Sequence, residues 1–174
     1  MADAPDTIVL KRHRDLDGRQ HDIWVRRGLF ALLCVVPVLA LLNVFGQRPT
    51  SATAGADTAL LDVYAPSHVR GGLIFEARFH ITARKPIKNA ILVLDAGWLE
   101  GMTVNTIEPS PVGEASHNGR LTLQLGHIPR GSSYLLFMQF QVDPTNVGRR
   151  SQRVELYDGG RRVADLQRTI TVFP

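Results

Sequence analysis

Apolar and polar residues alternate along the C-terminal two-thirds of this chain, whereas one stretch near the N-terminus is apolar without interruption. The alternation is clearest over residues 73–82. Leu73, Phe75, Ala77, Phe79 and Ile81 fall on one side, and Glu76, Arg78, His80 and Thr82 on the other. A period of two with one apolar side predicts a strand that is buried on one face and wet on the other. Residues 120–126 repeat it, with Leu121, Leu123 and Leu125 inward and Thr122 and Gln124 outward. Over 134–142, Leu136, Met138, Phe140 and Val142 form the inner side. The opposite side passes from Leu135 and Phe137 to Gln139 and Gln141, which predicts cover over its first half. Further strands are predicted at 60–64, 90–94, 103–107, 153–157 and 163–173, the last with a bend. Asp158-Gly159-Gly160 supplies the positive-φ glycines of a tight hairpin. Pro109, Pro111 and residues 113–119 read as a looser connection. Seven or eight short strands over residues 59–174, with no helical period, predict an all-β, immunoglobulin-like β-sandwich.

The uninterrupted apolar stretch runs from Gly28 to Gly46 and contains no charge. As a helix it would cover about 28 Å, close to the hydrocarbon thickness of a bilayer. It is therefore read as one transmembrane α-helix over residues 28–46, in which Pro37 is tolerated as a kink. Trp24 precedes the span where an aromatic ring anchors at the membrane interface. Lys11, Arg12, Arg14, Arg19, Arg26 and Arg27 lie on its N-terminal side, against Arg48 alone on the other side through Pro66. The positive-inside rule then makes residues 1–27 a basic cytoplasmic tail, with Arg26 and Arg27 as topology determinants. Residues 59–174 become extracytoplasmic, on a single-pass protein of the plasma membrane. Residues 47–58, rich in small and polar side chains, are expected to be a flexible linker. The tail is too short to bury a core and is expected to be disordered or partly helical.

Three targeting alternatives are weaker. Ala52-Thr53-Ala54 has signal-peptidase spacing, but the apolar run ends well short of it. Arg26-Arg27 lacks the Ser or Thr of a twin-arginine signal, since Val25 stands there. Cys34 follows Leu33, not the small residue a lipoprotein site wants. It is the one cysteine, which removes intrachain disulfides and thiol-rich metal clusters.

The formal charge of +4 is mild and has no concentrated basic face with interleaved aromatics, so nucleic acid is not an expected partner. No nucleophile elbow, phosphate-binding glycine loop or zinc-protease motif is present, so no catalytic residue, metal site or cofactor is expected. The six histidines are scattered. Asp143, Thr145, Asn146 and Asp95 could make an oxygen-rich calcium site, although ordinary turn formers explain them better. Lys85 or Lys88 with Asn89 could form an isopeptide bond, with solvated turn residues the favoured reading. The arginines 149, 150, 153, 161 and 162 read as a solvated basic edge. Trp98, Leu99 and Met102 lie on a loop directly after a strand, beside Gly97 and Gly101. They form either a contact patch for a partner or a plug at the end of the core, and the plug is favoured.

The runs Gly-Gly-Leu-Ile-Phe-Glu-Ala-Arg-Phe-His-Ile-Thr at 71–82 and Ala-Ile-Leu-Val-Leu-Asp at 90–95 add a resemblance. So do Leu-Gly-His-Ile-Pro-Arg-Gly at 125–131 and Phe-Gln-Val-Asp-Pro at 140–144. Together they resemble the conserved-repeat domain of bacterial surface proteins, here in a single copy. The resemblance implies an immunoglobulin-like sandwich without established catalytic activity. The expected function is a membrane-anchored interaction module, an accessory or structural protein docking on another membrane or envelope protein. The alternative is a domain that binds an envelope glycan or other ligand, and an enzyme is not expected.

Overall fold

A computed structural model describes residues 20–42, 46–55 and 57–174. The chain divides into two compact units, Met1–Phe45 and Gly46–Pro174. In the first, α1 spans Gln20–Leu41 and is long and apolar enough to cross a membrane. Its bounds differ from the expected 28–46. The residues from His21 to Arg27 include no breaker, so the backbone hydrogen bonds run on into the polar flank. Asp22 in the first turn suits the positive end of the helix dipole. Trp24 is 68% exposed, and the Arg27 guanidinium lies over its ring at 5.6 Å. Arg26 lies within the same early turns. The expectation for residues 1–19 of the tail falls outside the described residues.

The second unit is an immunoglobulin-like sandwich of two sheets. The strands are β1 Pro49–Gly55, β2 Ala59–Pro66, β3 His68–Arg70, β4 Ile74–Ala83, β5 Ile87–Leu94 and β6 Met102–Glu108. They continue as β7 Gly113–His117, β8 Arg120–Ile128, β9 Ser133–Val142, β10 Gly148–Asp158 and β11 Arg161–Phe173. One sheet has the order β1-β2-β4-β9-β6 and the other β3-β11-β10-β5-β8-β7. All eight predicted strands are present. The core is built from the inward members of their alternations, among them Leu61, Phe79, Leu92, Leu123, Leu136, Phe140 and Leu156, all 0% exposed. The Asp158–Arg161 hairpin forms as expected, with Gly159 at φ +57°. The irregularity of the last strand is a bulge opposite Leu156 and Tyr157, after which β11 alternates without a break to Val172.

Three strands were not expected. Residues 47–58 are not a free linker, because β1 pairs with β2 from Pro49↔Pro66 to Gly55↔Leu60. Its inward residues Ala52 and Ala54 pack against the core but are too small to give a visible hydrophobic period. Pro49 begins the strand, a position at which a sheet tolerates proline. Gly55 sits at φ +126°, and a Cβ there would meet Ala59 O at 2.2 Å, so this turn requires glycine. Strand β3 adds three residues parallel to β11. Residues 113–119, read as a loose connection, are β7 and a tight Asn118-Gly119 turn into β8. Both turn residues have positive φ, +50° and +72°, the geometry that Asn-Gly favours.

Candidate functional site

The loop that carries Trp98, Leu99 and Met102 turns inward. A short 3-10 turn, Ala96–Trp98, starts at Asp95, whose side chain accepts from the Gly97 N–H at 3.2 Å. Burial pushes the Asp95 carboxyl above its ordinary value, against the pull of backbone amides at Arg153 and Gly97. A Cβ on Gly97 would fall 1.7 Å from Ser151 O, so the turn lies directly on β10. Trp98 is 0% exposed and Met102 7%, and Leu99 packs half-buried against the core. Trp98 meets Phe79 at 5.3 Å and Phe140 at 5.5 Å between ring centroids. The contact patch is thereby corrected for Trp98 and Met102: apolar bulk on a glycine-framed loop is stabilised most by burial, and these two close one end of the core, with Leu99 half-buried at its rim.

An exposed surface instead forms at the seam between β6 and β7. These strands are the terminal members of the two sheets, and among the described residues no strand pairs with their outer edges. A groove of about 500 Å³ lies here, lined chiefly by Leu99, Val104, Ile107, Glu114, Ser116 and Leu121. The opposite seam is different, because β1 lies against β11 and closes it. Of the expected patch, only Leu99 reaches this groove. Sequence gives no sign of the seam, since which strands end a sheet depends on long-range pairing rather than local period.

Of the five arginines expected to form a basic edge, Arg150, Arg153 and Arg162 are paired with carboxylates, while Arg149 and Arg161 are exposed. Arg153 grips Asp165, with Nε to Oδ1 at 2.8 Å, and Arg162 reaches Asp165 at 2.9 Å and Glu155 at 3.1 Å. Arg120 also binds Glu155, and Arg150 pairs with Glu100 at 3.0 Å. The hydrogen bond from Arg153 holds the Asp165 carboxyl below its ordinary value of 3.8. A depressed native pKa gives stability that is present above the unfolded value and lost as pH falls through the folded one. Thermal melts of the wild type are therefore expected to drop more steeply below about pH 4 than those of Asp165→Asn. Equal acid sensitivity in the two proteins would contradict this assignment.

The other candidates do not converge. Asn146 is occupied, its Nδ2 donating to Gly101 O at 2.8 Å and its Oδ1 accepting from Arg150 Nε at 3.0 Å. Asp95 is engaged in its turn. The backbone amides of Lys88 and Asn89 donate to Asp158 Oδ1 at 2.9 and 3.0 Å. Among the described residues no three His, Cys, Asp or Glu side chains group as metal ligands. His68 stacks on Phe173 at 5.8 Å, and His127 Nδ1 contacts Ile87 O at 2.9 Å.

No protein-family model matches the chain, and no curated protein matches its sequence. Several solved structures are similar in fold. One is a non-cellulosomal cohesin from the hyperthermophilic archaeon Archaeoglobus fulgidus, 14% identical over 73% of this chain and 92% of that one, with TM-score 0.41. Another is CaCohA2 from Clostridium acetobutylicum, 14% identical over 67% and 91%, with TM-score 0.44. A third is the C-terminal domain of wzt, 12% identical over 74% and 81%, with TM-score 0.41. Scores of this size leave the sandwich to be read from its own strands.

Proposed function

We propose that this protein is a membrane-anchored, non-enzymatic interaction module whose sandwich docks on another membrane or envelope protein. The observation that carries the reading is the open β6–β7 seam. Two unpaired strand edges flank an apolar-floored groove there, and such edges accept an extended segment by strand addition. Glu114 lies in the groove and Glu108 ends β6, so a segment with apolar side chains and a basic residue is the complementary partner. The anchor is α1, with its arginine-rich end in the cytoplasm and the sandwich outside. The resemblance to conserved-repeat domains of surface proteins supports the same role.

Photo-cross-linking in the cells that make the protein tests the docking. A photoreactive residue at Asn105 or Ser116 is expected to give one adduct of discrete mass, and the same residue at Gln167, on the other side, none. No adduct from either seam position sinks the proposal. Reporter fusions at Ala2 and Pro174 check the orientation separately.

A further inference from the structure

The outward face of the β1-β2-β4-β9-β6 sheet carries a second surface, which meets the seam groove at Thr106. Register places Thr53, Asp62, His80 and Leu135 in one cross-strand row, and Ser51, Tyr64, Arg78, Phe137 and Glu108 in the next. The two rows enclose a hollow of about 320 Å³ lined by Ser51, Asp62, Tyr64, Arg78, His80 and Leu135. That volume is at the lower end for small-molecule sites. Two further hollows, of about 170 and 330 Å³, lie on the same face, the first sharing Tyr64 and Arg78 with it and the second sharing Glu76 with the first.

The lining is preorganised and chemically specific. The Arg78 guanidinium lies between two rings, 5.7 Å from Tyr64 and 5.5 Å from Phe137, and its Nε donates to Glu76 at 2.6 Å. Its remaining N–H groups stay available, with the side chain 50% exposed. Tyr64 keeps 38% of its surface open. Asp62 is the most telling member, because its Oδ1 is buried and has no hydrogen-bond partner. That oxygen has no open surface, so a ligand O–H reaches it only when the Asp62 side chain turns toward the hollow, which the residue lines.

From this geometry we infer that the outward face binds a saccharide, with its first ring in the hollow between Asp62 and Tyr64. A pyranose has apolar C–H faces and a rim of hydroxyls. The Tyr64 ring and Leu135 match the faces. Asp62 and Glu76 accept hydroxyl protons, and Ser51, His80 and Arg78 donate to ring or hydroxyl oxygens. Three hollows on one face give room for more than one unit of an oligosaccharide.

Saturation-transfer NMR on the full chain in lipid nanodiscs, free of sugar-headed detergents, tests the inference. The probes are tetrasaccharides of glucose, mannose, galactose and N-acetylglucosamine. At least one is expected to receive saturation. Its affinity should fall about tenfold in Tyr64→Ala and in Asp62→Asn, be kept in Tyr64→Phe, and be unchanged in Gln167→Ala. Circular dichroism confirms that each variant is folded, and Asp62→Asn, nearly isosteric, covers a failure of Tyr64→Ala to fold. Absence of transfer to all four sugars, or binding that survives both Tyr64→Ala and Asp62→Asn, overturns it.

Discussion

Replacing Trp98 with alanine is expected to destabilise the sandwich by about 3–5 kcal/mol, the cost of deleting a large buried aromatic side chain. The indole is 0% exposed and bridges the sheets, touching Phe79 on β4 and Phe140 on β9 while its own turn lies on β10. The surroundings cannot collapse to fill the space. The Gly97 backbone is already in contact with Ser151 O, and Phe79 and Phe140 are held in paired strands. Most of the cavity term should therefore be felt. Trp98→Phe should cost clearly less. It keeps a ring against both phenylalanines and removes the indole Nε1, which is buried without a hydrogen-bond partner. Urea denaturation of the full-length protein in micelles, followed by the β-sheet circular dichroism signal, gives both values. A loss below about 1 kcal/mol for Trp98→Ala would mean that the residue is a surface patch after all.

That residue also shows where sequence stops short. The loop around Trp98 has no period, so burial and exposure were both open readings, and only the packing of the 3-10 turn on β10 decides between them. Where alternation is strong the strands were legible, because a one-residue slip would bury Glu76, Arg78 and His80. Strand β1 was not legible, since its inward alanines contrast little with serine and threonine. Strand β7 carried a readable signal in Asn118-Gly119, hidden by a strand with almost no apolar content. The expected cover over Leu135 and Phe137 is partly present: Arg78 lies over Phe137, while Leu135 stays 40% exposed in the hollow. The candidate surfaces were the least legible part. Tyr64, Arg78 and Asp62 could each be assigned outward from local period, but their assembly into adjacent rows needs the β2-β4-β9 register.

The same limit applies to Arg168, whose place on the inward side of β11 follows from the alternation of Ala164, Leu166, Ile170 and Val172. It is 9% exposed, and among the described residues no carboxylate pairs with it. Its Nη2 donates to Ala65 O at 2.8 Å and Pro66 O at 2.7 Å, tying β11 to the end of β2 across the sandwich. Pro49 is opposite Pro66 in the ladder and has no N–H to offer, so the arginine supplies a donor that the sheet lacks. The guanidinium also lies 5.7 Å from the Trp98 ring. Two effects oppose each other in Arg168→Met. Desolvation of the cation, which pushes its pKa down to about 10, is relieved. The charge-assisted bonds, about 1.5–3 kcal/mol each, and the cation–π contact are lost, and the carbonyls are left behind. The losses outweigh the relief, and a net cost of about 2 kcal/mol is expected. Arg168→Lys should be no better, because an ammonium is more strongly hydrated and lacks the fork that reaches both carbonyls. The pH dependence identifies the cause. With a native pKa of about 10, below the unfolded one, this group makes stability rise with pH only above about pH 10. The gap between wild type and Arg168→Met, from urea titrations, should therefore be constant from about pH 5 to pH 9. A gap that narrows as pH falls through the carboxylate range would place an acidic partner beside the guanidinium and overturn this account.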